Sequence, residues 1–172
     1  VWDFSKVNID FLKKEGIEAK QVTIGYNKDL EIIPKSDTKD IDVLFYGSIN
    51  ERRKVLLEDL SEKLNLVVLA GKYGKDRDEV IARSKILLNM HFYETKILES
   101  VRVSYLLNNG VFVITEDSAD NPYPKLDLVS CAYDKLIKTC VDYINNPGKI
   151  EETAKLNYKQ FRQHYQMSQI LE

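Results

Sequence analysis

Short apolar runs alternate with amphipathic stretches along most of the chain, and the runs end in glycine or in clusters of polar residues. Val43, Leu44 and Phe45 form a near-continuous apolar run, the pattern of a strand covered on both faces. The pattern predicts strands over 41–46, 66–70, 86–90 and 111–115, with a fifth over 128–132. Helices fall between them: 52–64, with Val55, Leu56, Leu60 and Leu64 on one face; 76–84, capped by Asp76; 98–108, stopped by Asn109-Gly110; and 134–145. Pro147-Gly148 then breaks the chain, and 149–170 is again helical. Ala154, Tyr158, Phe161 and Tyr165 form an apolar stripe there, which packs on its own domain, crosses to a neighbouring one, or does both.

The first residues carry a β-α-β pattern of their own. A short strand over 1–4 leads into a helix with Ser5 as N-cap, running to Glu15 and stopped at Gly16. A strand over 20–24 follows and ends at Gly25, and the polar stretch 27–40, with Pro34, reads as a linker. Strands alternating with helices imply an α/β fold: an open, mainly parallel Rossmann-like sheet with helices on both faces and right-handed crossovers. Ligands of such sheets bind beyond the carboxyl ends of the strands, where strand order reverses. The loops after Tyr46, Ala70, Met90 and Thr115 are therefore the candidates.

Composition narrows the function. With 172 residues the chain is long enough for a real core. Its 44% hydrophobic and 30% charged residues describe a soluble globular protein. A net charge of -2 argues against nucleic acid as the main partner, though small basic clusters suit a phosphorylated small molecule. Cys131 and Cys140 read as reduced thiols, and no Cys/His cluster suggests a metal. No apolar run reaches membrane-spanning length and no signal peptide is visible, so a cytoplasmic location is expected. The chain starts at Val1 rather than Met and reads as a fragment.

The strand ends carry the candidate chemistry. Gly47-Ser48 precedes a helix start, where a glycine admits close backbone approach and free N–H groups attract anions. Arg52 and Arg53 in the first turn of that helix oppose its dipole. A bound anion explains them better than one solvated arginine and one paired with Glu51. Gly71-Lys72-Tyr73-Gly74 is either a plain turn or a place where Tyr73 meets a flat nucleobase. Ile86 to Arg102 delivers His91, Tyr93, Glu94, Glu99 and Arg102 from a strand into a helix. His91 is either a general base or hydrogen-bond donor, or a satisfied structural histidine. Glu99 is either a ribose-binding acid or a helix-start acid, with Arg102 three residues on as its neighbour on one helix face. Neither a Gly-x-Gly-x-x-Gly fingerprint nor a Walker lysine is present, which disfavours nicotinamide dinucleotides and P-loop chemistry.

In order and spacing, Phe45 to Arg53, Gly71 to Gly74, Ala82 to Tyr93 and Leu98 to Arg102 resemble the C-terminal lobe of a GT-B-fold glycosyltransferase of the group 1 type. Trp2 to Ser5, Asn8 and Ile24 to Tyr26 resemble the segment that precedes this lobe. The resemblance implies a nucleoside-diphosphate-sugar donor, a carbohydrate or glycoconjugate acceptor, and an N-terminal lobe of the same protein that holds the acceptor. It divides the chain into 1–40 (end of the N-terminal lobe and linker), 41–148 (donor-binding domain) and 149–172 (a helix packing back or crossing to the other lobe). Gly47, Ser48 and Arg53 would face the diphosphate, Glu99 the ribose with Arg102 in support, and Tyr73 and Tyr93 would line the ligand. His91 and Glu94 would stand at the reacting sugar. No cofactor or metal is expected, since such enzymes neutralise the leaving diphosphate with their own cations and helix ends. The chain departs from the pattern in one place: many retaining members space the two glutamates eight residues apart, and here Glu94 and Glu99 are five apart. The competing class is a non-catalytic module, either flavodoxin-like or receiver-like, or a nucleotide-sugar-binding regulator. A receiver needs a phosphorylatable Asp at a central strand end, where this chain has Met90-His91 and Gly47.

Overall fold

The strongest apolar runs become the centre of a five-stranded parallel sheet in the computed structural model, which describes residues 1–170. In chain order the elements begin with β1 (Trp2–Asp3), α1 (Lys6–Lys14) and β2 (Lys20–Gln21), with β1 and β2 paired in parallel. A single 3₁₀ turn at Lys28–Leu30 interrupts the linker. The main sheet follows with β3 (Ile41–Tyr46), α2 (Glu51–Ser61), β4 (Leu66–Leu69), α3 (Gly74–Ala82), β5 (Ser84–Asn89), α4 (Ser100–Asn108), β6 (Val113–Glu116) and β7 (Val129–Cys131). The chain closes with α5 (Leu136–Ile144), α6 (Pro147–His164) and α7 (Met167–Ile170).

The strand order is β4-β3-β5-β6-β7, all parallel. The chain runs outward from β3 to β4 and then crosses back to place β5 on the other side of β3. The order therefore reverses between β3 and β5, and a crevice opens at their carboxyl ends. Val43, Phe45, Ile86, Leu88 and Ile114 pack on one face with Leu56, Leu57 and Leu60 of α2, Leu136 and Cys140 of α5, and Ile150 of α6. Leu44, Leu87 and Val113 pack on the other face with Ile81 of α3 and Leu106 of α4. A third cluster, rich in aromatics, joins Tyr26, Tyr123, Phe161 and Tyr165 to Leu98, Val103 and Leu107.

Several boundaries differ from the sequence pattern for local reasons. The buried face of α2 is Arg53, Leu56, Leu57 and Leu60, while Val55 is 54% exposed. The spacing is that of a regular helical stripe, but an arginine occupies one of its core positions, so an apolar-only reading rotates the face toward Val55. Helix α3 is entered from Tyr73 rather than capped by Asp76, which sits in its first turn. Helix α4 starts at Ser100, with Glu99 as its N-cap residue rather than inside the first turn. Pro147 begins α6 instead of breaking the chain, because its fixed φ and missing N–H suit a first helical position. The second strand of the N-terminal unit is only two residues long.

The C-terminal helix does not run unbroken to 170. At Tyr165 the chain leaves α6 and lies beside Gly25-Tyr26 as a parallel bridge. Tyr26 N–H donates to the Tyr165 carbonyl at 2.6 Å and Met167 N–H to the Tyr26 carbonyl at 2.9 Å. These two crossings of the chain, one after β2 and one after α6, are thus bound to each other. Gly25 is required here by space: a Cβ on it would lie 2.1 Å from the Tyr165 carbonyl oxygen. Gly25→Ala should lower unfolding free energy by about 1–3 kcal/mol, the usual range for overpacking a tight contact. A urea melt with an unchanged midpoint would show that the two crossings are not held this closely.

Candidate functional site

A cavity of about 420 Å³ opens at the β3–β5 switch point. Ser48 and Arg53 reach it from the loop and helix after β3, and His91 and Tyr93 from the loop after β5. Glu99 and Arg102 reach it from the start of α4. Phe4 and Asn8 of the N-terminal unit close one wall. The cavity thus gathers most of the residues singled out from the sequence. It does not gather all of them. Glu94 is exposed and lies outside the cavity lining, Tyr73, 79% exposed before α3, lies outside it too, and Gly47 stands behind the Arg102 guanidinium rather than in the lining.

Arg53 is nearly enclosed, with a side chain only 3% exposed. Its guanidinium lies between the Phe45 and Phe92 rings, 5.2 Å from each centroid. It donates to the Ser48 carbonyl at 2.7 Å and to the Met90 carbonyl, and approaches Glu99 at 3.4 Å. Its Nε is buried with no hydrogen-bond partner among the described residues. Burial pulls the Arg53 pKa below its ordinary value, Glu99 opposes this, and Arg102 and Arg52 add to the lowering. Asn50 supports the same join: its Oδ1 accepts the Arg53 N–H at 3.0 Å as helix cap, and its Nδ2 donates to the Phe92 carbonyl at 3.0 Å.

Gly47 has φ +133, a conformation that side chains resist, and a Cβ there would lie 2.7 Å from Arg102 Nη2. The Arg102 guanidinium also lies 4.9 Å over the Tyr46 ring and donates to Asn89 Oδ1 at 3.1 Å. Glu99 accepts from Asn89 Nδ2 at 2.8 Å, and its Oε2 lies 3.4 Å from His91 Nδ1. That approach is an ion-pair distance without hydrogen-bond alignment, so Nδ1 is left without a hydrogen bond. The other ring nitrogen of His91 sits 3.1 Å from the Asp117 carbonyl and 3.3 Å from Ser118 Oγ.

Three groups of the site went unread in the sequence. Glu116, at the end of β6 and 1% exposed, takes both terminal nitrogens of Arg52 and accepts the His91 N–H at 3.1 Å. Arg52 therefore faces Glu116 rather than an open anion site, and its guanidinium lies 3.9 Å over the Tyr133 ring. Asn89 and Thr115, at neighbouring strand ends, bond each other at 3.0 Å. The signal for all three is a polar residue ending an apolar run, as in Ile86-Leu87-Leu88-Asn89 and Val113-Ile114-Thr115-Glu116.

Burial alone would lower the His91 pKa, but Glu99, Glu116 and the Asp117 carbonyl outweigh it and leave it raised. Burial alone would raise Glu99, but His91 and Asn89 outweigh it and leave it lowered. The signs fix the pH window. The raised His91 contributes stability fully present below its ordinary 6.5 and lost as pH rises through the folded value. The lowered Glu99 contributes stability present above its ordinary 4.5 and lost as pH falls through the folded value.

No protein-family model matches the chain. Among curated proteins it is similar to three uncharacterized proteins of Acanthamoeba polyphaga mimivirus. L137 is 31% identical over 150 residues, which cover 80% of this chain and 20% of that protein. L140 is 29% identical over 115 residues, covering 63% and 38%. R358 is 27% identical over 153 residues, covering 85% and 53%. The chain thus spans a fifth to about half of these relatives' length. Among solved structures it is similar to TarM, with a TM-score of 0.64 at 11% identity over 99% of this chain and 41% of that one. It is also similar to sucrose-phosphate synthase from Thermosynechococcus elongatus, with a TM-score of 0.67 at 11% identity over 99% and 55%. At this identity the likeness is one of fold: a Rossmann-like α/β architecture. No helix among the described residues is long and apolar enough to cross a membrane.

Glu99→Gln should move the His91 titration midpoint down, because the main opposition to desolvation is removed. Proton NMR of the imidazole reads this directly. A midpoint unmoved by the substitution would mean that the two groups are not electrostatically coupled.

Proposed function

We propose that the chain is the donor-binding lobe of a sugar-nucleotide-dependent glycosyltransferase. Residues 41–148 would hold a nucleoside-diphosphate sugar, 1–40 would be the end of an acceptor-binding lobe with its linker, and the helical segment from 149 to 170 would pack back on its own domain or cross to that lobe, residues 171–172 lying outside the described residues. The observation that carries the reading is the convergence of Gly47 and Arg102 at the strand switch point. A glycine without a Cβ lies there against a guanidinium whose one side-chain hydrogen bond among the described residues goes to Asn89, next to the start of α2. That combination suits a diphosphate: close backbone approach, a helix N-terminus and a delocalised cation. The fold likeness to glycosyltransferases supports the same class.

In this reading Arg102 is the group that meets the diphosphate and Ser48 lies beside it. Arg53 holds the two loops in place, since its two terminal nitrogens donate to the Ser48 and Met90 carbonyls. Glu99, whose side chain is 25% exposed, accepts ribose hydroxyls at the cavity wall. His91 and the leaving diphosphate would be linked through charge, because a protonated imidazole here offsets developing negative charge. No metal or cofactor enters this scheme. A second reading, a nucleotide-sugar-binding module without transfer, is favoured by one observation: His91 is 2% exposed and Glu94 lies outside the cavity lining, so neither residue named for the reacting sugar stands open in the cavity. Transfer assays on the full-length protein separate the two.

Titration calorimetry with UDP, GDP, ADP and dTDP should give heat for at least one; silence from all four would sink the proposal. For the nucleotide that binds, Arg102→Ala should weaken affinity about tenfold or more, the loss of a charge-assisted contact. Gly47→Ala should do the same by blocking the approach. Arg53→Ala should instead show first as lost stability, about 2 kcal/mol or more, because it removes the partner of buried carbonyls.

A further inference from the structure

Arg102 is held more loosely than the other charged groups of the site. The acids there, Glu99 and Glu116, are turned to Arg53, His91 and Arg52 instead. Its one side-chain hydrogen bond among the described residues goes to the neutral amide of Asn89, at 3.1 Å. A long side chain with a single bond keeps several rotamers within reach. Its remaining support is the Tyr46 ring, whose centroid lies 4.9 Å from the guanidinium. The direction of Arg102 therefore follows the place of that ring.

Tyr46 ends β3 and packs against the apolar cluster of Leu44, Ile81 and Leu106. Its hydroxyl makes no hydrogen bond among the described residues, so packing and charge fix the ring. A second guanidinium lies over it: that of Arg77 in α3, 5.6 Å from the centroid. Arg77 is itself locked. Its Nε and Nη2 both donate to Asp78 Oδ1, at 3.0 and 2.8 Å, and its guanidinium lies 4.7 Å over the Tyr105 ring. The other Asp78 oxygen accepts the Tyr105 hydroxyl at 2.8 Å. Burial and this carboxylate push the Tyr105 pKa up to about 12, so its hydroxyl stays a donor at neutral pH.

Asp78 is buried on the face of α3 that also buries Ile81 and Ala82. Helix packing asks for no acid there, because burying a carboxylate is costly and Ile81 already packs in one cluster with Leu106 of α4. What the acid adds is a fixed and neutralised cation. Two bare guanidiniums over one ring repel each other; with Asp78 beside it, Arg77 holds the ring while adding little repulsion to Arg102. Tyr105 lies three residues after Arg102 on α4, a neighbour on the same helix face. The same carboxylate therefore also holds α4 one turn beyond Arg102. We propose that Arg77, locked by Asp78, is a positioning residue: it holds the Tyr46 ring in place and thereby aims Arg102 at the ligand. That the ligand is a diphosphate rests on the donor-lobe reading; the aiming itself belongs to the chain without ligand.

Heteronuclear NMR of the Arg102 Nε–H, assigned by its loss in Arg102→Ala, reads the aiming without any ligand, because the Tyr46 ring shifts that signal. Arg77→Ala should move it, whereas Ile81→Val, which loosens the packing of α3 but spares Arg77, should leave it in place. An unmoved signal in Arg77→Ala overturns the proposal, and so does equal movement in both variants. Titration calorimetry with UDP, GDP, ADP and dTDP gives a second readout. For the diphosphate that binds, Arg77→Ala should weaken affinity about fivefold in the wild-type chain, and by no more than about twofold once Arg102 is already alanine. Equal loss in the two backgrounds, or none in either, overturns the proposal, since Arg77 would then act apart from Arg102. Arg77→Ala leaves a buried carboxylate without its cation. If circular dichroism shows that it does not fold, the pair variant Arg77→Met with Asp78→Asn takes its place with the same expected outcomes. If none of the four nucleotides binds, the donor-lobe reading falls, and the Arg102 signal still decides the positioning.

Discussion

The site depends on one buried cation. Arg53 comes from a helix face otherwise made of leucines, and its guanidinium stands where the chain leaves β3 and β5. Burying a guanidinium is costly unless its donors find acceptors. Here the Ser48 and Met90 carbonyls, freed by the ends of two adjacent strands, supply them. The exchange works in both directions. Strand ends leave carbonyls unpaired, and an arginine able to reach two of them at once fixes the spacing of the crevice. Phe45 and Phe92 complete the enclosure and keep water away from the join.

Around that cation the charges alternate rather than accumulate. Glu99 lies between Arg53 and His91, and Glu116 lies between Arg52 and the His91 backbone. Each buried carboxylate thus has a cation or an N–H donor on two sides, as a low-dielectric site demands. Arg102 is the exception. It keeps one bond to Asn89 and a ring face of Tyr46, and it borders the one glycine whose conformation and missing Cβ open the backbone.

Much of the architecture was legible because alternation of apolar runs and amphipathic stretches is a strong signal. Ile41 to Tyr46 has the predicted bounds, and Ser48 and Glu99 line one cavity beyond the strand ends. What was illegible has a common cause. Arg53 counts as polar in any pattern, yet occupies a core position, so the helix face was misread. Asn89 and Glu116 look like ordinary strand ends until the parallel register sets β5 beside β6. Pro147 carries opposite meanings at a helix start and inside a helix, and only the chain on either side decides which applies. The exit of Tyr165 from α6 answers a bridge to Tyr26, a partner 139 residues away that no local pattern reveals.

Helix α1 has no buried residue, and the strands beside it are two residues each. A nine-residue helix with so little packing is marginal by itself. It is held instead by its cap, by Asp3, and by bonds such as Lys6 N–H to Asp120. Protection against local opening follows buried apolar contact, so this unit stands at the low end of the molecule's stability scale while the β3–β5 pair stands at the high end. The cavity between them therefore has one hard jaw and one soft jaw. Whatever enters it meets, on the side of α1, a wall held by hydrogen bonds and caps rather than by buried apolar contact.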